Sequence, residues 1–391
     1  SGDHWGPITQ HSIILMVGAV VVVFLHNVPY KWFQVFPVFL YPISLVLLAF
    51  VTLMGIITGD RVNGAARWMT FMGLQFQPSE LAKMAVIIVT AFILSKGQDE
   101  DGASPKAFKR IMIITGVICL LIAPENLSTA ALLFGVVYLM MFIGRVAMKK
   151  LLILAGGLAG VAIIGVTFLV LTKNSDLPFL HRFDTWRARI EKFTNDNEVP
   201  AAKFDIDKDA QIAHARIAVA TSHVVGKGPG NSVQRDFLSQ AFSDFIFAII
   251  IEELGLIGGA FVVFLYVCLL IRVGRIAKKC ERTFPAFLII GIALLLVSQA
   301  IFNMMVAVGL APVTGQPLPL ISKGGTSTLI NCAYIGMILS VSRYTARLEE
   351  QKEHDALIPM QVEVPAEETN SDAQTAAEPT AKVLNSDAEF E

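Results

Sequence analysis

Residues 242–255 read FSDFIFAIIIEELG, and the apolar run that they open continues to about residue 271. About 20 apolar residues cross a hydrocarbon core roughly 30 Å thick, so the run is a membrane span by length alone. Yet Asp244 stands at its mouth, and Glu252 and Glu253 stand inside it. Ionisable groups in a span cost several kcal/mol unless they face a cavity or a partner. At 1.5 Å per residue, Glu252 would lie about 12 Å deeper than Asp244. The stretch therefore predicts a membrane helix with charged chemistry gathered at one end.

The composition extends that reading to the whole chain. Its 391 residues are 54% apolar and only 16% charged, where soluble domains carry about 25% charged residues. Charges fall in short connections between long apolar runs, the pattern of a polytopic all-α membrane protein. The net charge of −1 gives no reason to expect a nucleic-acid partner. Cys119, Cys268 and Cys332 lie in apolar runs and Cys280 in a basic loop. No pair has metal-ligand spacing, which predicts packed or lipid-facing thiols.

Nine spans are predicted, at about 11–28, 34–57, 79–95, 110–124, 126–144, 151–172, 244–271, 286–308 and 325–342. Residues 1–10 are polar and carry no signal-peptide pattern. Lys96, Lys106, Lys109 and Arg110 share one connection, and Arg145, Lys149 and Lys150 another. Arg272, Arg275, Lys278, Lys279 and Arg282 fill a third, and Arg343 and Arg347 follow the last span. Nine spans put all four clusters on one side, which the positive-inside rule makes cytoplasmic. The segment 173–243 is then one large outer loop, and the C-terminus is cytoplasmic. Residues 349–391 are rich in Glu, Asp, Ala, Thr and Pro and nearly free of aromatics. Such a segment cannot bury enough apolar surface to fold, which predicts a disordered acidic tail after a membrane domain over 1–348.

Several polar residues near the outer ends of the spans have two readings. Glu80 and Lys83, at i and i+3, share a helix face and can pair structurally. Pro78, Ser79 and Glu80 also fit plain helix-start chemistry. Ser243 and Asp244 stand where an N-cap is expected, so Asp244 is either a cap or a functional base. The stretch 59–80, GDRVNGAARWMTFMGLQFQPSE, alternates apolar and polar residues and predicts an interfacial amphipathic piece. Arg67 there can be a headgroup anchor and Trp68 an aromatic-belt residue. The stretch 308–328, VGLAPVTGQPLPLISKGGTST, is irregular backbone of the kind tolerated where it lines a cavity. Lys323 and the amides of Gly324 and Gly325 can bind an anion there. Glu125, Glu252 and Glu253 have no assigned role, the last two being read as structural.

At these residues the sequence resembles a known family. NGAARW (63–68), FQPSELAK (76–83), GKGPGNSVQ (226–234), SDFIFAIIIEELG (243–255) and NMMVAVGLAPVTGQPLPLISKGGTS (303–327) look like successive signatures of the SEDS (shape, elongation, division and sporulation) polymerases. GNSVQ is closer to the FtsW-like division branch than to the RodA-like elongation branch. The resemblance covers about 11–347 and implies a SEDS-type bundle of ten spans. Nine are counted here, and 11–28 resembles the family's second, so the first is expected to be missing. The family's proline–aspartate–x–glycine–threonine motif reads ENLST (125–129), with Asn126 at the aspartate position. Phe242 stands where a histidine is usual, and Lys323 where an aromatic is common.

The resemblance implies a peptidoglycan glycosyltransferase that polymerises lipid II at the outer face of the bacterial cytoplasmic membrane during septal cell-wall synthesis. The donor is a glycan on undecaprenyl pyrophosphate, and the acceptor is a sugar 4-hydroxyl of another lipid II. Asp244 matches the family's essential aspartate and is assigned the general base. Arg67, Lys83 and Lys323 are candidate pyrophosphate contacts. Trp68 is a candidate groove residue, Glu80 orients Lys83, and Asn126, Gly324 and Gly325 complete the candidate set. A divalent cation would assist the leaving group, though no ligand set identifies one. The implied partners are a class B penicillin-binding transpeptidase, other division proteins and membrane lipid. Two other classes fit charged residues facing a cavity. One is a flippase or transporter of lipid-linked precursor, and the other is a non-catalytic scaffold for the transpeptidase.

Overall fold

The structure, a computed structural model, describes residues 5–57, 69–71, 74–99, 102–171, 206–238 and 242–362. Ten α-helices are present among them: α1 Trp5–Asn27, α2 Phe36–Ile57, α3 Pro78–Lys96, α4 Pro105–Ile122, α5 Leu127–Ile143, α6 Met148–Leu171, α7 Ile206–Ala220, α8 Ile246–Lys279, α9 Thr283–Ala307 and α10 Gly325–Val362. Nine coincide with the predicted spans. The tenth, α7, lies within the long connection 173–243. By length and hydropathy α2, α3, α6, α8, α9 and α10 can each cross a membrane, while Ser12–Asn27 and Leu127–Ile143 are apolar but shorter. The apolar part of α4 is preceded by Lys106, Lys109 and Arg110 in its first turns.

Local chemistry sets the ends. Pro78 fills the first turn of α3, where its missing N–H costs nothing, with Glu80 beside it on the positive end of the helix dipole. Ser104 caps α4 by accepting from Ala107 N at 3.3 Å, ahead of Pro105. Asn126 caps α5 by accepting from Thr129 N at 3.2 Å, which makes the tight α4–α5 joint.

The bundle is organised around α3. Within its apolar window α3 is 78% buried, whereas that of α6 is 6% buried. Helix α3 packs on α2, α4, α5 and α9, and α9 also packs on α8 and α5. A helix apolar all round but exposed, as α6 is, needs lipid for its surroundings. Large apolar side chains likewise face outward along α1, α2 and α8. One core lies among α3, α5, α9 and α10, and a second joins α7 and α8 to the end of α9.

Three expectations change. Within 59–80 the residues Met69–Phe71 and Leu74–Phe76 form an antiparallel hairpin, β1–β2, with Thr70 opposite Gln75. The alternation there has the two-residue period of a strand. The span at 244–271 is not one helix: Gly255 adopts φ 73°, ψ −173° and breaks α8. Finally, α10 runs past the expected boundary at residue 349 to Val362. Glu349, Glu350, Gln351, Lys352 and Glu353 are strong helix formers that continue the turn without needing burial. Residues 363–391 lie outside the described part. Residues from Arg347 onward form a compact unit separate from 1–346.

Candidate functional site

The N-terminal ends of α3, α5 and α8 and the C-terminal end of α9 meet the irregular segment 308–324. Helix α9 is the spine of the junction. Its Gln299 and Asn303, four residues apart, project from one face. Gln299 Oε1 accepts from Lys83 Nζ at 2.9 Å, and Gln299 Nε2 donates to Pro317 O at 3.0 Å. Asn303 Nδ2 donates to Asp244 O and to Gln316 O, both at 2.8 Å. The Gln316 amide donates in turn to Thr129 Oγ1 on α5. One polar chain thus runs from Asn126 through Thr129, Gln316 and Asn303 to Asp244.

A second set of bonds staples 318–323 to the residues before α8. Ser322 Oγ donates to Ser243 O at 2.6 Å and accepts from Leu318 N at 2.7 Å. Lys323 N donates to Phe242 O at 2.8 Å. Tyr266 OH, on the part of α8 beyond Gly255, donates to Pro319 O. Asp244 is therefore fixed through its own carbonyl and through both preceding ones, while its half-buried carboxylate accepts from Ser243 Oγ at 3.0 Å. Phe245, not Ser243 or Asp244, occupies the N-cap of α8.

Beneath this lies a cation. Lys83 is fully buried, with Nζ 2.8 Å from Glu80 Oε1. The expected i,i+3 pair is thus formed, and away from water. At this depth the pair holds because both ends have partners. Three buried carboxamides meanwhile keep one polar atom each without a protein partner: Asn126 Nδ2, Asn303 Oδ1 and Gln316 Oε1. Asn303 Oδ1 and Gln316 Oε1 are acceptors near the Asp244 end of the chain, and Asn126 Nδ2 is a donor at its other end.

Of the residues read from sequence, Asp244, Lys323, Gly324 and Gly325 gather at the surface of the site. Gly325 is the first residue of α10, so Lys323 and two amides stand at a helix N-terminus, where the dipole favours an anion. Glu80 and Lys83 lie below, and Asn126 at the far end of the polar chain. Arg67 and Trp68 lie outside the described residues. Glu252 is drawn away from the site: its buried carboxylate accepts from Lys227 Nζ at 2.6 Å and from Ser232 Oγ at 2.5 Å. Among the described residues no group of three His, Cys, Asp or Glu could hold a metal ion. Gln299, Asn303, Gln316 and Thr129 were missed by a search confined to ionisable groups. Two amides four residues apart in an otherwise apolar span were the available signal.

The sequence model of the FtsW/RodA/SpoVE cell cycle proteins matches residues 1–347. The chain belongs to that family. A probable peptidoglycan glycosyltransferase FtsW from Geobacter sp. (strain M18) is 34% identical over 339 residues, covering 85% of this chain and 86% of the relative. A chain from a solved peptidoglycan synthase complex, described for the structural coordination of polymerization and crosslinking, aligns with a TM-score of 0.68 at 25% identity. That alignment covers 88% of this chain and 92% of the other. The rod shape determining protein RodA of Thermus thermophilus shares the fold, with a TM-score of 0.59 at 24% identity over 86% of this chain and 87% of its own. This FtsW/RodA/SpoVE chain is accordingly a multi-pass membrane protein with the family's helical bundle.

Proposed function

We propose that the chain is a peptidoglycan glycosyltransferase that polymerises lipid II at the outer face of the cytoplasmic membrane, in the septal wall synthesis of dividing bacteria. The observation that carries this reading is the fixing of Asp244 by Asn303 and Ser322 beside Lys323 and the N-terminus of α10. Glycosyl transfer needs a base for the acceptor proton and positive charge for the departing pyrophosphate. Asp244 takes the proton of the acceptor 4-hydroxyl as its oxygen bonds to the donor's anomeric carbon. The carbon–oxygen bond to undecaprenyl pyrophosphate breaks, and the pyrophosphate leaves with the electron pair. Lys323 and the amides of Gly324 and Gly325 receive that charge, and buried Lys83 adds a positive field held in place by Glu80. Asn126, Asn303 and Gln316 form the buried polar framework that holds the Asp244 backbone in place. Arg67 and Trp68 are assigned to the pyrophosphate and the sugar groove on resemblance alone. The expected partner is a class B penicillin-binding transpeptidase within the division machinery, and the C-terminus is cytoplasmic.

Asp244→Asn tests the assignment. Loss of a general base costs about 10²–10⁴ in rate, so purified Asp244→Asn should build no detectable glycan from lipid II while still folding. Polymerisation near the wild-type rate would refute the base. Glycan formation by the purified wild-type chain without any gradient separates this reading from a flippase. A scaffold would show no glycan formation by the wild type either.

A further inference from the structure

The break at Gly255 is filled by another part of the chain. Residues 223–228 of the outer loop lay their backbone into it, and four of the backbone groups on either side of the break find partners there. Leu256 N and Ile257 N donate to His223 O and Val224 O at 3.3 Å. Lys227 N and Gly228 N donate to Glu252 O and Glu253 O at 3.0 and 2.8 Å. The fit needs two glycines: a Cβ on Gly226 would come within 2.3 Å of Gly255 N, and one on Gly255 within 2.2 Å of Val224 O. Glu252, with no exposed surface, also accepts from Val233 N and Gln234 N at 3.3 Å, besides Lys227 and Ser232.

Backbone pairing of this kind is what a non-helical segment needs at membrane depth. The position agrees. Counting about 20 residues back from Arg272, the first cation beyond the span, reaches Glu252, so the break lies at the outer boundary of the hydrocarbon. The surface there is apolar. Val224 and Val225 are 58% and 74% exposed, beside Leu254, Leu256 and Ile257 at 44%, 54% and 61%. That patch continues into the outward-facing side of the span, where Phe261 and Phe264 are each 58% exposed. His223 and Lys227 flank Val224 and Val225 in the sequence.

We propose that residues 223–228 form a re-entrant turn that rests in the outer leaflet, with lipid acyl chains covering Val224 and Val225. The large outer loop is then tethered to the bilayer at its C-terminal end, 16 residues before Asp244 at Gly228. The inference needs only that α8 spans the membrane and is independent of the reaction assigned to the site.

A nitroxide at Val225→Cys tests it, in a chain with Cys119, Cys268, Cys280 and Cys332 replaced, reconstituted in phosphatidylglycerol–phosphatidylethanolamine vesicles. Phe261→Cys is the lipid-facing reference and Glu353→Cys the aqueous one. Spin relaxation at 225 should favour oxygen over a water-soluble nickel chelate, shifted to the side of position 261. A preference for the chelate like that at 353 would overturn the proposal. Val224→Cys repeats the measurement if the 225 variant does not fold, with the same two outcomes.

Discussion

Lys83 carries its charge with no exposed surface, between Glu80 and Gln299. Removing one member of a buried ion pair leaves the other uncompensated, at about 3–5 kcal/mol. Lys83→Met should therefore lower the unfolding temperature sharply, and Lys83→Met combined with Glu80→Gln should restore most of it. If Lys83 serves the reaction, the restored double variant should still polymerise lipid II poorly; full activity would reduce the pair to a structural one. Asn303 gives a second test. Asn303→Leu strips a donor from Asp244 O and Gln316 O, each loss of a buried bond costing about 1–3 kcal/mol. Its glycan formation should fall further than that of Leu295→Met, a volume-conserving change at a buried site on the same helix. Equal activities in the two would remove Asn303 from the site. Sequence showed the first of these features and hid the second. A Glu–Lys pair at i,i+3 in a span announces itself by charge and spacing. Uncharged amides pass as ordinary polar residues until their acceptors, 59 and 13 positions away, are brought alongside.

At the scale of elements, the break in α8 is the feature that hydropathy concealed. The run resumes its apolar character after Gly255, and glycine within a helical pattern is tolerated, as Gly258 and Gly259 are, so one continuous span was the natural expectation. Only the long-range bonds from 223–228 show that the glycine is required. Gly255→Ala would place a β-carbon at φ 73°, ψ −173° and against Val224 O. Strain of this kind costs about 1–3 kcal/mol. The variant should expose the 221–238 segment to protease and lower the unfolding temperature. Gly274→Ala, on the same helix with open space around it, should change neither, and slight stabilisation is expected from alanine's helix propensity. Equal protease resistance in both variants would mean that the loop is held elsewhere. Of the helix starts, the one at Pro78 was legible, whereas the capping of α4 by Ser104, ahead of the apolar run, and of α5 by Asn126 leaves no hydropathy signal.

For the whole molecule, the nine spans expected from hydropathy, in alternating directions, would place the basic connections on one face and the 244 and 308–324 segments on the other. An impermeant maleimide applied to intact spheroplasts should label Asn195→Cys and spare Glu281→Cys; the reverse would invert the topology. Spans were readable because each must be apolar over a membrane's width, a demand that lipid makes on every helix separately. The extension of α10 to Val362 was not, since helix propensity in a charged segment leaves no hydropathy signal. Helix α3 has another consequence, for biogenesis. It is the least lipid-exposed of the membrane-length helices and carries a charged pair at one end, so it is poorly suited to stand alone in a bilayer. Gln299, which completes the coordination of Lys83, is 216 residues downstream. At about 5–20 residues per second, a ribosome supplies it roughly 10–40 s after Lys83 is made. Through that interval α3 must be sheltered by α2, α4 and α5 or by the insertion machinery, and the site cannot assemble before residues 299–325 have been translated.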